Sequence, residues 1–254
     1  VAVSRRTVLG AVLAPAILPR PAAAEVGLAR LVAAYPDHLV GLDRDVLVWT
    51  DGTRMETGAG RPERPFEVML RDATLADQMR QTYPAGPPVG PPGRNHNPGR
   101  IRSTAFFVKM YGDCRRGGAE RRQRTVTWMP QTRPQPLPVT MENDVATRLE
   151  RVIAELERLP DRLKAYLVPS AGTFNCRTVA DTGLLSMHAY AAAIDLNVAH
   201  SDYWSWARAR GDIPYRNRIP FAIVEVFEAQ RFIWGGKWYH YDTMHFEYRP
   251  ELIG

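Results

Sequence analysis

Two proline clusters set the limits on what this chain can fold into. From Pro84 to Gly99 the sequence is so dense in Pro and Gly that no regular element can form there, because Pro lacks a backbone N–H and Gly loses most conformational entropy on ordering. A second cluster, Pro130 to Pro138, separates an irregular N-terminal region, residues 25–138, from a more regular region, residues 139–254. The 21 Pro and 19 Gly point to a loop-rich globule rather than a helical bundle. With 254 residues, 45% of them hydrophobic and 24% charged, the chain can bury one good core, and it is neither a disordered tail nor a collagen-like repeat. No internal repeat is visible.

Within those limits, periodicity places the elements. Leu28 to Tyr35 reads as a short helix ending near Pro36. Val46-Leu47-Val48-Trp49 reads as a strand entering a hairpin, since Asp51-Gly52 supplies the positive φ of a tight turn. Val145, Leu149, Val152, Ile153, Leu156 and Leu159 recur at three- and four-residue steps with Arg and Glu between them. That spacing predicts an amphipathic helix, ended by Pro160, whose apolar stripe packs on a sheet. Leu167-Val168 and Ile194 to Val198 read as strands, Ile223 to Gln230 as another helix, and Tyr239 to Tyr248 as a returning strand or hairpin. Helices combined with short antiparallel strands define an α+β class.

The N-terminus has the layout of an export leader. Ser4-Arg5-Arg6-Thr7-Val8-Leu9, the apolar run Val8 to Leu18 and Ala22-Ala23-Ala24 follow the order of basic, apolar and cleavage regions, and the paired arginines resemble a twin-arginine signal. The apolar run is well short of the roughly 20 residues that span a bilayer, and Pro15 interrupts it. Residues 1–24 are thus expected to be cleaved, leaving a protein with no stable membrane insertion in the periplasm or cell wall. Loss of Arg5, Arg6 and Arg20 lowers the formal charge from +6 to +3, which, with export, argues against a nucleic-acid partner. The run from Arg115 to Arg124 reads as a solvated basic loop. In an oxidising compartment Cys114 and Cys176 are either a disulfide or two unrelated thiols, and neither has the spacing of a zinc or redox motif.

Ligand-type residues concentrate in two segments, Ser186 to Asp195 and Trp234 to Glu247. A catalytic zinc takes three nitrogen or oxygen ligands and keeps one open position. His188, Asp195 and His245 supply such a set. Asp195 sits between Ile194 and Leu196, where an uncompensated carboxylate is costly to bury and a cation partner is expected. Asp242, three residues before His245, can face the same water and act as general base. Trp234 and Trp238 are either groove walls or core; His240 reads as a wall residue; Glu247 orients a ligand histidine or lies on an exposed strand.

Ser186-x-His188-x6-Asp195 followed by Asp242-x-x-His245-Phe246-Glu247 resembles the M15 family of zinc peptidases, the D-alanyl-D-alanine carboxypeptidases and L-alanyl-D-glutamate endopeptidases. The likeness is dense from Thr173 to Leu252, about a third of the chain. It implies an α+β fold with a small central antiparallel sheet and flanking helices, of the type shared with hedgehog domains. It also implies that His188, Asp195 and His245 hold Zn2+, that Asp242 is the general base, that Arg177 polarises the scissile carbonyl and that Ser186 binds substrate. Ala191 stands where the family carries glycine; if that position has positive φ, alanine costs on the order of 1 kcal/mol.

The expected function is an exported zinc peptidase acting on peptidoglycan peptides, with residues 139–254 as its catalytic domain. The rival is a non-catalytic wall-binding module that keeps the fold, a reading against which the retained Asp242 counts. A carboxypeptidase needs a cation for the terminal carboxylate, for which Lys237 or an arginine could serve, whereas an endopeptidase needs a longer groove. The bond cut, the oligomeric state and the role of residues 25–138 (lid, wall anchor or packing) stay open at this level.

Overall fold

The computed structural model describes residues 23–62, 64–179, 182–207 and 211–253. The leader read at 1–24 lies outside the described residues except for its last two, which begin helix α1 (Ala23–Ala34). Strands β1 (Leu39–Asp43), β2 (Val46–Trp49) and β3 (Arg54–Glu56) follow as an antiparallel meander. The β2–β3 turn falls at the expected Asp51-Gly52, where Gly52 has φ +81. Helices α2 (Phe66–Arg71) and α3 (Leu75–Gln78) precede the proline-rich stretch, which carries no helix or strand. Helix α4 (Thr104–Tyr111) comes after it and buries Phe106, Phe107, Met110 and Tyr111.

The second proline cluster contains a strand that the sequence hides. β4 (Gln123–Trp128) pairs with β5 (Gln135–Thr140) in register Thr127↔Pro136 and Thr125↔Pro138. Pro136 and Pro138 occupy the exposed alternate positions of β5 while Leu137 and Val139 point inward. A two-stranded ribbon has only edges, and an edge strand tolerates Pro because half of its N–H groups have no ladder partner. β5 also runs across the boundary drawn between residues 138 and 139.

Helix α5 (Val145–Glu157) follows, its stripe Val145, Leu149, Val152, Ile153 and Leu156 buried against β4, β5 and helix α7 (Phe221–Ala229). After the short α6 (Asp161–Lys164), the strand expected at Leu167-Val168 is absent. Those residues form turns closed by Leu167 N–H to Lys164 C=O, and Leu167 C=O accepts the indole N–H of the buried Trp128. With both backbone groups taken, no ladder can form.

The last sheet is antiparallel, in the order β6 (Ala193–Asp195), β8 (His245–Tyr248), β7 (Phe232–Trp234). β8 is the central strand, and its register sets Asp195 opposite His245, Ile194 opposite Phe246 and Ala193 opposite Glu247. Because side chains alternate across a strand, Ile194, Phe246 and Trp234 share one face, and Phe227 of α7 stacks on Phe246 at 4.0 Å between ring centres. The other face carries Asp195, His245 and Glu247. Helices with three small antiparallel sheets make an α+β architecture.

One hydrophobic cluster runs from Leu28 to Ile253, so the N-terminal residues share a core with the last sheet. No helix among the described residues is long and apolar enough to cross a membrane. Cys114 and Cys176 form a disulfide that closes a 62-residue separation and ties the turn after α4 to the residue next to Arg177. Closing a loop of this length is worth about 2–4 kcal/mol. The double variant Cys114→Ser/Cys176→Ser is expected to lose that much stability in denaturant unfolding. An unchanged midpoint would mean that the pair adds nothing.

Candidate metal centre

The path from sequence to site begins with how each donor is held. Ser186 caps the 3-10 turn Met187–Tyr190, its hydroxyl oxygen accepting the His188 N–H. The turn ends at Ala191, which has φ 52 and so does adopt the left-handed conformation that favours glycine. The chain then enters β6, and Asp195 meets His245 directly across the β6–β8 pairing. Asp195 Oδ1, His188 Nε2 and His245 Nδ1 form a triangle with edges of 2.9 to 3.1 Å. Bonds of about 2.0–2.1 Å in tetrahedral array set donor atoms roughly 3.3 Å apart, so the triangle has the dimensions of a zinc ligand set.

The outer partners decide the tautomers. His188 Nδ1 lies 3.0 Å from the Thr173 carbonyl, which only accepts, so this nitrogen carries the proton. His245 Nε2 lies 3.0 Å from Glu247 Oε2 and donates to it in the same way. In its neutral form each imidazole therefore aims its lone pair at the carboxylate of Asp195. Three such lone pairs about 3 Å apart repel one another unless a cation or a proton lies among them, and the outer partners are of the kind that orient metal-ligating histidines. Without a metal, protons fill that role. Burial favours the neutral forms of His245 and Asp195, yet the flanking carboxylates outweigh it and raise His245 to about 10, while the histidines hold Asp195 well below the usual carboxylate range. The donor set fits a divalent cation, and among the described residues it is the group of three His, Cys, Asp or Glu side chains that converges in this way.

Beside the triangle lies a cavity of about 70 Å³, lined by His245, Asp242, Glu247, Ser186 and Arg177 among others. All six residues singled out in the sequence thus come together, Asp195 and His188 through the triangle and the rest around the cavity. Asp242 is half-buried, and its Oδ1 has no hydrogen-bond partner among the described residues. Burial, reinforced by the charge of Asp195, raises its carboxyl to about 6. Arg177 is exposed at the rim, on the strand-like stretch that pairs Thr178 with Leu185.

Several open readings now close. Glu247 is buried between His245 and Arg249 rather than exposed. Trp234 is core, with its indole N–H on the Thr243 carbonyl, whereas Trp238 is buried and also lines the cavity. His240 is a wall residue, stacked on Phe66 and edge-on to Trp204. Lys237 cannot serve substrate: it is buried, and its ammonium donates to Pro84 C=O, Gly86 C=O and Glu228.

Arg100 and Arg102, on the irregular N-terminal segment, also line the cavity and were missed in the sequence. Gly99 lets them approach: it has φ +99, and a Cβ there would lie 2.6 Å from Ile233 Cδ1 and 2.9 Å from Glu247 Oε1. Asn97-Pro98-Gly99, at the end of the first proline-rich stretch and just before α4, was the available signal.

Mixed nitrogen and oxygen donors with a free carboxylate beside them form a group that could hold one divalent cation. A family model described as D-alanyl-D-alanine carboxypeptidase matches residues 180–248, about a quarter of the chain, which include His188, Asp195, Asp242 and His245. No curated protein and no solved structure matches this chain.

Removing an outer partner should loosen the ion without removing a ligand. Glu247→Gln is expected to weaken zinc binding by about 10–100-fold in chelator competition. His188→Ala should abolish it, and wild-type affinity in both variants would place the ion elsewhere.

Proposed function

We propose that this chain is an exported zinc peptidase that hydrolyses an amide bond in peptidoglycan stem peptides. The observation that carries the reading is the convergence of three lone pairs beside a cavity holding an unpartnered carboxylate. The family match over residues 180–248 supports the same class, and the leader-like residues 1–24 support delivery to the wall.

His188, Asp195 and His245 would hold the zinc, which when bound supplies a Lewis acid and lowers the pKa of water toward about 7. Asp242 Oδ1 takes the proton of the attacking water and returns it to the departing amine nitrogen. Burial pushes this carboxyl up, in the direction that lets one group both take and return a proton near the working pH. Arg177 faces the cavity with a fixed positive charge for the oxygen of the scissile carbonyl. Ser186 accepts the His188 N–H with one lone pair, which leaves its O–H free to donate to substrate.

The decisive variant is Asp242→Asn, which keeps shape and removes the base. Turnover of a defined stem peptide, followed by mass spectrometry, should fall by about 10²–10⁴-fold while zinc content stays near one per chain. Chelation of the wild type should abolish cleavage and added zinc restore it. Stoichiometric zinc with no cleavage of any stem peptide would instead support the non-catalytic wall-binding module.

A further inference from the structure

Among the described residues, three cations are fully buried, and two of them are neutralised: Arg249 pairs with Glu247 and Glu251, and Lys237 with Glu228. Arg100 and Arg102, which line the metal-site cavity, have no carboxylate within ion-pair distance among the described residues. Arg102 is fully enclosed and gives its N–H groups to the Leu185 and Gly99 carbonyls. Arg100 is half-buried, with its guanidinium 5.9 Å from the centre of the Trp238 ring and one hydrogen bond, from Nη1 to the His240 carbonyl at 3.2 Å. Most of its five donors are therefore uncommitted. Enclosing an arginine without a counter-ion is costly, and a guanidinium keeps its charge at any working pH, so the imbalance is one that an anionic ligand removes.

The surrounding space limits what that anion can be. The inner cavity of about 70 Å³ takes a group of a few heavy atoms, since liquid water occupies about 30 Å³ per molecule. An outer chamber of about 400 Å³, walled by Phe66, Trp204, Tyr239 and His240, shares Leu70, Arg100 and Thr182 with it. Arg100 thus stands where a small pocket beside the donor triangle meets a wider chamber. A planar guanidinium matches a carboxylate with two parallel hydrogen bonds.

We infer that Arg100 is the anchor for the C-terminal carboxylate of the substrate, with Arg102 adding charge behind it, so that the enzyme removes a terminal residue and does not cut within a chain. This rests on the peptidase reading. It assigns bond selection to residues 100 and 102, outside the matched segment 180–248.

The test uses the full zinc-loaded protein and three synthetic stem peptides: one ending in D-alanyl-D-alanine as the free acid, the same peptide as its C-terminal amide, and one with a free C-terminus but an internal side-chain carboxylate amidated. Wild type should favour the free acid over the terminal amide in kcat/KM by about 10–100-fold, and internal amidation should matter little. Arg100→Gln should lower kcat/KM for the free acid far more than for the amide and so collapse the preference, while Arg100→Lys recovers part of it. Equal losses on acid and amide, no loss on the acid, or sensitivity to the internal carboxylate alone would each overturn the anchor. If no peptide is cut, calorimetric binding of the same acid and amide decides. A preference for the acid that Arg100→Gln erases upholds the anchor and sinks the peptidase reading, whereas equal binding sinks the anchor.

Discussion

A ladder of buried charge along β8 and its continuation holds the structure together around the site. His245 and Glu247 project from alternate positions of β8, and Arg249 and Glu251 follow in the turn after it, all four nearly or wholly enclosed. None could stay charged there alone. Asp195 meets His245, His245 meets Glu247, Glu247 meets Arg249, Arg249 meets Glu251, and Glu251 accepts the Tyr35 hydroxyl. Breaking one link leaves a buried ion without its partner, which costs about 3–5 kcal/mol, so each member fixes the next. Metal geometry at one end is thereby tied to the residue that follows α1 at the other.

That ladder explains why the N-terminal residues belong to the site and are more than a cover. Gly99 C=O accepts from Arg249 Nη1, Gln78 reaches both Glu251 and the Ser103 N–H, and Pro98 C=O accepts the Trp238 indole N–H. Asn97 receives the His240 N–H on its side-chain oxygen. A segment with no regular secondary structure satisfies its backbone by bonding to the last sheet and its loops, and in doing so carries two arginines into the cavity. The disulfide performs a comparable task on the opposite wall, where it restrains the stretch bearing Arg177.

How much of this was legible depended on the range of the forces involved. Helix α5 was readable because its apolar stripe is a local pattern, and the β2–β3 turn because Asp51-Gly52 is a local conformational preference. Ala191 announced its left-handed φ only through comparison with a family pattern that carries glycine there. β5 escaped notice because prolines argue against a strand until one knows that it is an edge and that Pro136 and Pro138 point outward. The strand expected at Leu167-Val168 failed because a distant tryptophan, Trp128, claims the carbonyl that a ladder would need.

The sequence by itself determined the donor set, because two imidazoles and a carboxylate flanked by apolar residues state a chemistry wherever the backbone takes them. It also determined the candidate base and the α+β class. Only the tertiary structure decided which nitrogen of each histidine faces Asp195, since Thr173 and Glu247 engage the other nitrogens through contacts across the fold. It alone showed that Lys237 is spent on Glu228, and that Arg100 and Arg102 stand unpaired beside Asp242. The physical reason is the same in each case. What a side chain can do follows from its type, but whether its charge is already neutralised depends on neighbours that lie far away in the chain.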